Sequence, residues 1–152
     1  MGDVQTRPLF DQIAAIKALA AGDNTLDLSK GVGMFGWSFG GYMSALAACR
    51  YPSFFAATFS GAPVCDWRWY DDCYTERYLG TPQEKESDYD RSSVLTYAPH
   101  LLRPLMLVHG YTDDNVFFAH AIQMSAAFFK HGRDHTFLPL GGTHMLADPL
   151  GQ

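Results

Sequence analysis

The sequence predicts an α/β fold in which parallel strands alternate with helices. Short apolar runs of strand length alternate along the chain with stretches whose apolar residues recur at helical spacing. Consecutive parallel strands need a helical crossover between them, so this alternation favours a parallel sheet with helices on both faces. The 152 residues, 47% of them hydrophobic, are enough for one domain with a core.

The individual elements follow from breakers and apolar runs. A helix is predicted over residues 8–21, because Pro8 suits a helix start and Gly22 a helix end. Residues 31–37 form an apolar strand, and the helix over 39–50 stops before Pro52. The other predicted elements are strands at 56–60, 105–109 and 136–140 and a helix at 117–131. Residues 61–103 form a long aromatic and acidic insert, and such long excursions tend to carry function.

A candidate nucleophile lies between the first strand and the following helix. Residues 36–40 read Gly-Trp-Ser-Phe-Gly, the G-x-S-x-G pattern in the strand-to-helix context of a nucleophile elbow. Ser38 is the nucleophile of this pattern. We expect side chains in place of Gly36 and Gly40 to collide with the neighbouring strand and helix. The backbone N–H of Phe39, at the start of the helix, is the expected oxyanion donor.

The acid and the base are sought downstream, since this fold orders its triad as serine, acid, histidine. Asp113 and Asp114 both follow the strand over 105–109. One would orient the imidazole and the other could cap the next helix, and the residues alone leave both assignments open. His144 follows the last strand on a glycine turn and is the candidate base. For His109, at the end of a strand, we expect a structural hydrogen bond.

Four segments resemble a known family. They are residues 36–44, 61–80, 107–118 and 141–144. In these segments the chain resembles the prolyl oligopeptidase family of serine peptidases, in the branch that includes dipeptidyl peptidase IV. The resemblance implies that residues 1–152 are the C-terminal portion of an α/β-hydrolase catalytic domain. Its upstream strands, a tyrosine oxyanion donor and a β-propeller would then be absent from this chain.

The resemblance also implies roles for particular residues. It makes Asp113 the acid of the triad and Asn115 a donor to a substrate carbonyl. It assigns the wall of a proline-accepting S1 pocket to Val64, Trp67, Tyr70, Tyr74 and Val116. Phe39 stands where this branch usually has tyrosine. For Trp69 and Tyr78 we expect core packing.

The function predicted is peptide-bond hydrolysis after proline through an acyl-enzyme on Ser38. One alternative is an acylaminoacyl peptidase or esterase on the same fold. Another is an inactive fragment that acts only through association. The expected substrate is a peptide.

Other classes of function find little support in the composition. The net charge of −5 and the scattered basic residues argue against nucleic acid as a partner. No apolar run approaches the ~18 residues of a membrane span, and the first residues lack a signal pattern. No metal and no cofactor are expected, because no ligand cluster or C-x-x-C motif is present. The sequence does not discriminate between a cytoplasmic and a periplasmic parent protein.

Two further expectations concern the cysteines and the strand edge. Cys49, Cys65 and Cys73 are read mainly as small hydrophobic residues, and a bridge between Cys65 and Cys73 is left open. The strand over 31–37 would present a bare edge, and missing helical cover would leave apolar surface exposed, so we expect the isolated chain to form homo-oligomers or to be poorly stable.

Overall fold

Four parallel strands form the sheet of this protein. The computed structural model describes residues 2–146. The strands are β1 (Val32–Trp37), β2 (Phe55–Gly61), β3 (Leu105–Gly110) and β4 (Thr136–Leu140). They lie in the order β1-β2-β3-β4, and every neighbouring pair is parallel. The α/β class and the parallel pairing predicted from the sequence are confirmed.

Six α-helices accompany the sheet in the described residues. They are α1 (Thr6–Gly22), α2 (Phe39–Arg50), α3 (Asp72–Leu79), α4 (Glu86–Ser92), α5 (Val94–Tyr97) and α6 (Ala119–Lys130). Two 3-10 turns lie at Trp67–Trp69 and Ala98–His100. The insert over 61–103 therefore contains α3, α4, α5 and both 3-10 turns. Among residues 2–146, no helix is long and apolar enough to cross a membrane.

The helices that contact the sheet cover one of its faces. Leu105 and Leu107 of β3 are buried on that face, in the same core as residues of α2 and α6. On the opposite face Phe35 is 74% exposed and Leu138 is 39% exposed. Helices were expected on both faces, and within residues 2–146 the second face has no such layer. The strand order explains this difference, because right-handed crossovers that all step in one direction place their helices on the same side.

The insert is fastened to the core by buried hydrogen bonds. The hydroxyl of Tyr42 on α2 donates to the carbonyl of Ser92 at 2.7 Å. The N–H of Val94 donates to the carbonyl of Cys65 at 2.8 Å. Because these bonds join distant parts of the insert to α2 and to each other, the insert packs as part of the domain rather than as a loose loop.

A buried glutamine holds the first helix in place. Gln5, just before α1, is 1% exposed. Its Nε2 donates to the carbonyl of Arg91 at 2.7 Å, and its Oε1 accepts from the guanidinium of Arg50. Both ends of this amide are thus used to join α1, α2 and α4. No periodic pattern in the sequence marks this residue, and its role was not predicted.

The structure decides the predictions made for the cysteines and for two aromatic residues. Cys49 and Cys65 are buried thiols and Cys73 is an exposed one, so the bridge between Cys65 and Cys73 is not formed. The expectation that Trp69 and Tyr78 pack in the core is wrong, since they are 44% and 37% exposed. Each lies on the outer side of the insert, where its ring can rest against a neighbour and still face solvent.

Candidate active site

Ser38 occupies a strained turn between β1 and α2. Its φ is 57° and its ψ is −118°, a conformation that residues with a side chain rarely adopt. The turn is held by the N–H of Ser38, which donates to the carbonyl of Gly61 on β2 at 2.8 Å. Phe39 begins α2, where first-turn N–H groups have no partner within the helix. The turn therefore presents a hydroxyl and a free donor side by side.

The glycines around this turn are needed for close approach. A Cβ on Gly36 would lie 2.1 Å from the carbonyl oxygen of Gly40, so the predicted collision at Gly36 is present. A Cβ on Gly40 would meet no atom within 4 Å, so the collision expected there is wrong. The crowded helix position is Gly41, whose Cβ would lie 2.1 Å from the carbonyl oxygen of Gly61. Gly41 thus lets α2 rest directly on β2.

Asp113 lies in the turn after β3 and is fixed by several donors. It is 4% exposed. Its Oδ1 accepts the backbone N–H groups of Asn115 at 3.0 Å and Val116 at 2.9 Å. Its Oδ2 accepts from Nδ1 of His144 at 2.7 Å. Asp114 is exposed and does not share this arrangement, so the geometry separates the two carboxylates that the sequence left as alternatives.

His144 is held over the acid by its own backbone and by the first strand. The indole Nε1 of Trp37 donates to the carbonyl of His144 at 2.8 Å. The N–H of Thr112 donates to the carbonyl of Gly142 at 3.1 Å. A Cβ on Gly110 would lie 2.4 Å from the carbonyl oxygen of Gly142, so only glycine lets the histidine turn approach the acid turn. No hydrogen bond joins the Ser38 hydroxyl to the His144 ring in the described residues.

An aromatic cluster lies beside Ser38. The ring of Trp67, which is 3% exposed, is its centre. Tyr74 stacks on it with ring centroids 5.8 Å apart, Tyr70 meets it edge-on at 5.7 Å, and Phe39 lies 6.1 Å away. The side chains of Val64 and Val116 are also buried. Val64 comes three residues before Trp67, and Val116 comes three residues after Asp113. The cluster offers ring faces and edges that suit a compact apolar group.

Asn115 is oriented by Tyr70. The Tyr70 hydroxyl donates to Oδ1 of Asn115 at 2.8 Å. In the described part of the chain this leaves the amide NH₂ of Asn115 available to another acceptor. Burial raises the pKa of the Tyr70 hydroxyl, and the charges of Asp71 and Asp113 add to the effect. Tyr70 therefore stays protonated and keeps this donation over the neutral pH range.

Concave surfaces flank the aromatic cluster. A cleft of about 330 Å³ lies against Phe39, Tyr74 and Tyr78, and one of about 280 Å³ lies between Tyr70 and Asn115. A larger cleft of about 640 Å³ lies at the opposite ends of β2, β3 and β4, far from these residues. The chemistry of the side chains, rather than the size of the clefts, therefore identifies the candidate site. Within residues 2–146, no group of three or more potential metal ligands is found.

Two buried histidines, His109 and His120, lie near the site, and a structural hydrogen bond was predicted for only the first of them. His120 on α6 accepts the N–H of Cys65 at its Nδ1, at 3.1 Å, and its Nε2 lies 3.2 Å from the carbonyl of Trp69. It therefore fastens the aromatic segment to α6. His109 is 0% exposed, and the structural hydrogen bond expected for it is present, since its Nε2 lies 2.7 Å from the carbonyl of Val116.

The parallel sheet and the sharp turn after its first strand define an α/β-hydrolase domain. The chain belongs to the prolyl oligopeptidase family, which matches residues 1–143. It is 36% identical to dipeptidyl peptidase 8 of Homo sapiens over 138 residues, and this alignment covers 89% of this chain and 15% of that protein. It is also 36% identical to dipeptidyl peptidase 4 of Bos taurus over 108 residues, and this alignment covers 69% of this chain and 14% of that protein.

Solved structures agree with this assignment. The crystal structure of Porphyromonas gingivalis dipeptidyl peptidase 4 superimposes with a TM-score of 0.88 at 33% identity, over 96% of this chain and 21% of that one. A putative dipeptidyl aminopeptidase IV from Bacteroides ovatus gives a TM-score of 0.83 at 28% identity, over 88% of this chain and 19% of that one. The chain thus spans about a seventh of the length of these curated relatives and about a fifth of the solved ones.

Proposed function

We propose that this chain carries the catalytic centre of a serine peptidase that cleaves after proline through an acyl-enzyme on Ser38. The observation that carries the proposal is the 2.7 Å contact between Nδ1 of His144 and Oδ2 of Asp113, two residues 31 positions apart. A carboxylate in that position fixes the imidazole tautomer that leaves Nε2 free to accept a proton. Membership of the prolyl oligopeptidase family supports the same chemistry.

The proposed reaction has two stages. In the first, Ser38 Oγ attacks the scissile carbonyl while Nε2 of His144 takes the hydroxyl proton and passes it to the leaving amine. In the second, Nε2 of His144 takes a proton from a water molecule whose oxygen attacks the acyl carbon, and it returns that proton to Ser38 Oγ as the ester bond breaks. Because apo enzymes often have loose catalytic hydrogen bonds, we expect Ser38 to reach His144 by rotation of its side chain when substrate binds.

The negative charge that develops on the substrate oxygen needs donors. The N–H of Phe39 lies at the start of α2, where the helix dipole also favours negative charge. Asp113 stabilises the imidazolium that forms on His144 during both stages. Among residues 2–146, these side chains and the helix start are proposed for each role that an acyl transfer requires, except that of a second oxyanion donor.

Specificity for proline is proposed from the aromatic cluster. Trp67, Tyr70, Tyr74 and Phe39 present ring surfaces next to Ser38. A proline ring is compact, rigid and apolar, and such a surface suits it. We propose Val64 and Val116 as further walls of this S1 pocket. The amide of Asn115, oriented by Tyr70, is the proposed donor to the substrate carbonyl that precedes the proline. The names of the relatives support release of dipeptides.

The experiment combines a covalent probe with substrates. A fluorophosphonate probe should label the wild-type chain and the variant Ser53→Ala, which changes an exposed serine, but not Ser38→Ala. Turnover of Gly-Pro-p-nitroanilide above that of p-nitrophenyl acetate would support proline specificity. Labelling that persists in Ser38→Ala would refute the nucleophile. Ester turnover without anilide turnover would refute the peptidase assignment, and a wild-type chain that does not label would refute activity of this chain.

A further inference from the structure

A second histidine contacts the carboxylate that holds His144. Nε2 of His109 lies 3.1 Å from Oδ2 of Asp113, the same oxygen that accepts from His144. The same Nε2 lies 2.7 Å from the carbonyl oxygen of Val116. His109 is on β3, four residues before Asp113, and its side chain is fully buried. One oxygen of Asp113 therefore faces two imidazole rings.

The surroundings of His109 decide where its proton lies. Both atoms next to Nε2 are acceptors, so Nε2 carries a hydrogen. Nδ1 is buried and has no hydrogen-bond partner within residues 2–146. A proton on Nδ1 would be a buried donor without an acceptor, which is unfavourable. Burial also lowers the pKa of His109, against the opposing effects of the Val116 carbonyl and the Asp113 carboxylate. The ring is thus neutral, with its hydrogen on Nε2.

The packing around His109 leaves this ring little freedom. The ring of Phe118 meets it edge-on, with centroids 5.7 Å apart and an interplanar angle of 87°. The titratable groups that act on it are Asp113, His144 and, from α6, His120. A ring held between β3 and the acid turn keeps its Nε2 close to the same two oxygens, at 2.7 Å from the Val116 carbonyl and 3.1 Å from Oδ2 of Asp113. It acts as a fixed donor rather than as a carrier of protons.

We propose that His109 is a positioning residue for the acid, whose Nε2–H holds Oδ2 of Asp113 in the orientation that His144 requires. The contact with Val116 has a second consequence, because it joins β3 to the backbone of Val116, a wall of the proposed S1 pocket. With His109 included, four nitrogen atoms lie within 3.1 Å of the two carboxylate oxygens of Asp113. The effect of His109 on catalysis rests on the proposed function, whereas its effect on the Asp113–His144 contact does not.

Two substitutions form a matched pair that separates positioning from packing. In His109→Gln the amide nitrogen can occupy about the place of Nε2, so the donor to Asp113 is kept. In His109→Asn the amide ends near the place of Nδ1 and cannot reach Asp113. Both variants replace the ring by a smaller neutral amide, so both lose the contact with Phe118. A purely structural role would make the two variants behave alike.

The first readout requires no catalytic activity. NMR of the full chain labelled with ¹⁵N-histidine should show His109 neutral and protonated on Nε2 at neutral pH. A low-field proton resonance is expected for the Nδ1–H of His144 bound to Asp113. This resonance should persist in His109→Gln and shift or disappear in His109→Asn. A His109 proton found on Nδ1, or a His144 resonance that is identical in wild type and His109→Asn, would overturn the proposal.

The second readout is the rate at which the fluorophosphonate probe labels Ser38. Because a hydrogen bond to a charged group contributes substantial free energy, the labelling rate should fall by about 10- to 100-fold in His109→Asn. His109→Gln should stay within about threefold of wild type. Equal losses in both variants would overturn the proposal. If the wild-type chain does not label, the proposed function fails while the NMR result still decides the role of His109. If His109→Asn does not melt cooperatively, the His144 resonance in His109→Gln decides, and its loss there overturns the proposal.

Discussion

Gly110 shows how one missing methyl group can determine a site. It lies at the end of β3, directly under the turn that carries His144. A Cβ at this position would lie 2.4 Å from the carbonyl oxygen of Gly142 and 2.8 Å from that of Thr143. Contacts this short between a Cβ and backbone atoms force one of the two segments to move. The histidine turn is the part that can move, since it projects beyond the last strand.

We therefore expect Gly110→Ala to lower the rate of fluorophosphonate labelling by about 100-fold, because small displacements of a catalytic group have large effects. The melting temperature should change much less. Gly33→Ala on β1 is the matched control, since a Cβ there meets no atom within 4 Å. Equal labelling by the two variants would show that the histidine turn tolerates the added methyl group.

At the same scale, the sequence predicted some of the site and missed other parts. The pattern around Ser38 and the order of the three residues were enough to nominate Ser38 and His144. The choice between Asp113 and Asp114 needed the resemblance, because neighbouring carboxylates look alike until the backbone places one of them inward. Trp37, Gly41 and Gly110 were missed as determinants, since their importance lies in contacts with residues far along the chain.

At the scale of elements, the insert depends on His120. This residue is 1% exposed and joins α6 to the segment that carries Trp67 and Trp69, through Cys65 N–H and the Trp69 carbonyl. Since Nδ1 accepts a hydrogen bond, the neutral ring carries its proton on Nε2 and donates to Trp69. Burial lowers the pKa of His120, which favours this neutral form.

His120→Leu should destabilise the chain by about 1–3 kcal/mol, because it leaves a buried donor and a carbonyl without their partner. Limited proteolysis should then cut the insert, residues 61–103, faster than in wild type. His131→Leu, at an exposed position just after α6, should change neither measurement. Unchanged proteolysis in His120→Leu would mean that the aromatic segment is held by packing alone.

Elements differed in how well the sequence predicted them. The strands were predicted to within about one residue at most ends, because apolar runs bounded by polar or glycine residues mark them clearly. The final strand was predicted with the bounds that the structure has. The insert was not resolved into α3, α4 and α5, since its helices are short and their formation depends on contacts with the core. Helix α6 begins two residues later than predicted, at Ala119.

At the scale of the whole molecule, stability should depend on pH through the buried histidines. The folded-state pKa values of His109 and His120 are lowered from about 6.5, first of all by burial. Between the folded and unfolded values the unfolded chain binds more protons, so stability rises with pH in that interval. The contribution is complete above about pH 6.5 and is lost as the pH falls below it.

The free energy of unfolding, measured in urea between pH 5 and pH 7.5, should therefore decrease toward acid pH. His120→Leu should show a weaker decrease than wild type, because one of the two contributing rings is gone. His131→Gln, which alters an exposed ring, should keep the wild-type slope. A slope in His120→Leu equal to that of wild type would contradict the assignment.

The uncovered face of the sheet bears on association. Phe35 is 74% exposed and stacks on Phe59 with centroids 4.9 Å apart, so apolar rings of β1 and β2 face solvent together. We propose that copies of the chain associate through this face, since burial of such rings is favourable. Light scattering should show Phe35→Lys shifted toward monomer. Phe129→Lys, at an 84% exposed ring on α6, should behave as wild type. A wild-type chain that is monomeric in light scattering would refute the proposal.

The bond between the indole of Trp37 and the carbonyl of His144 spans 107 positions of the chain. Parallel strands pair only after the connection between them has formed, and contacts between distant residues are made late in folding. Ser38 is placed by β1 and β2, whereas His144 is placed only after β4 has joined the far edge of the sheet. Reactivity toward the probe should thus appear after most secondary structure has formed during refolding. The rate at which probe reactivity returns during refolding should therefore report when β4 joins the sheet and the fold is complete.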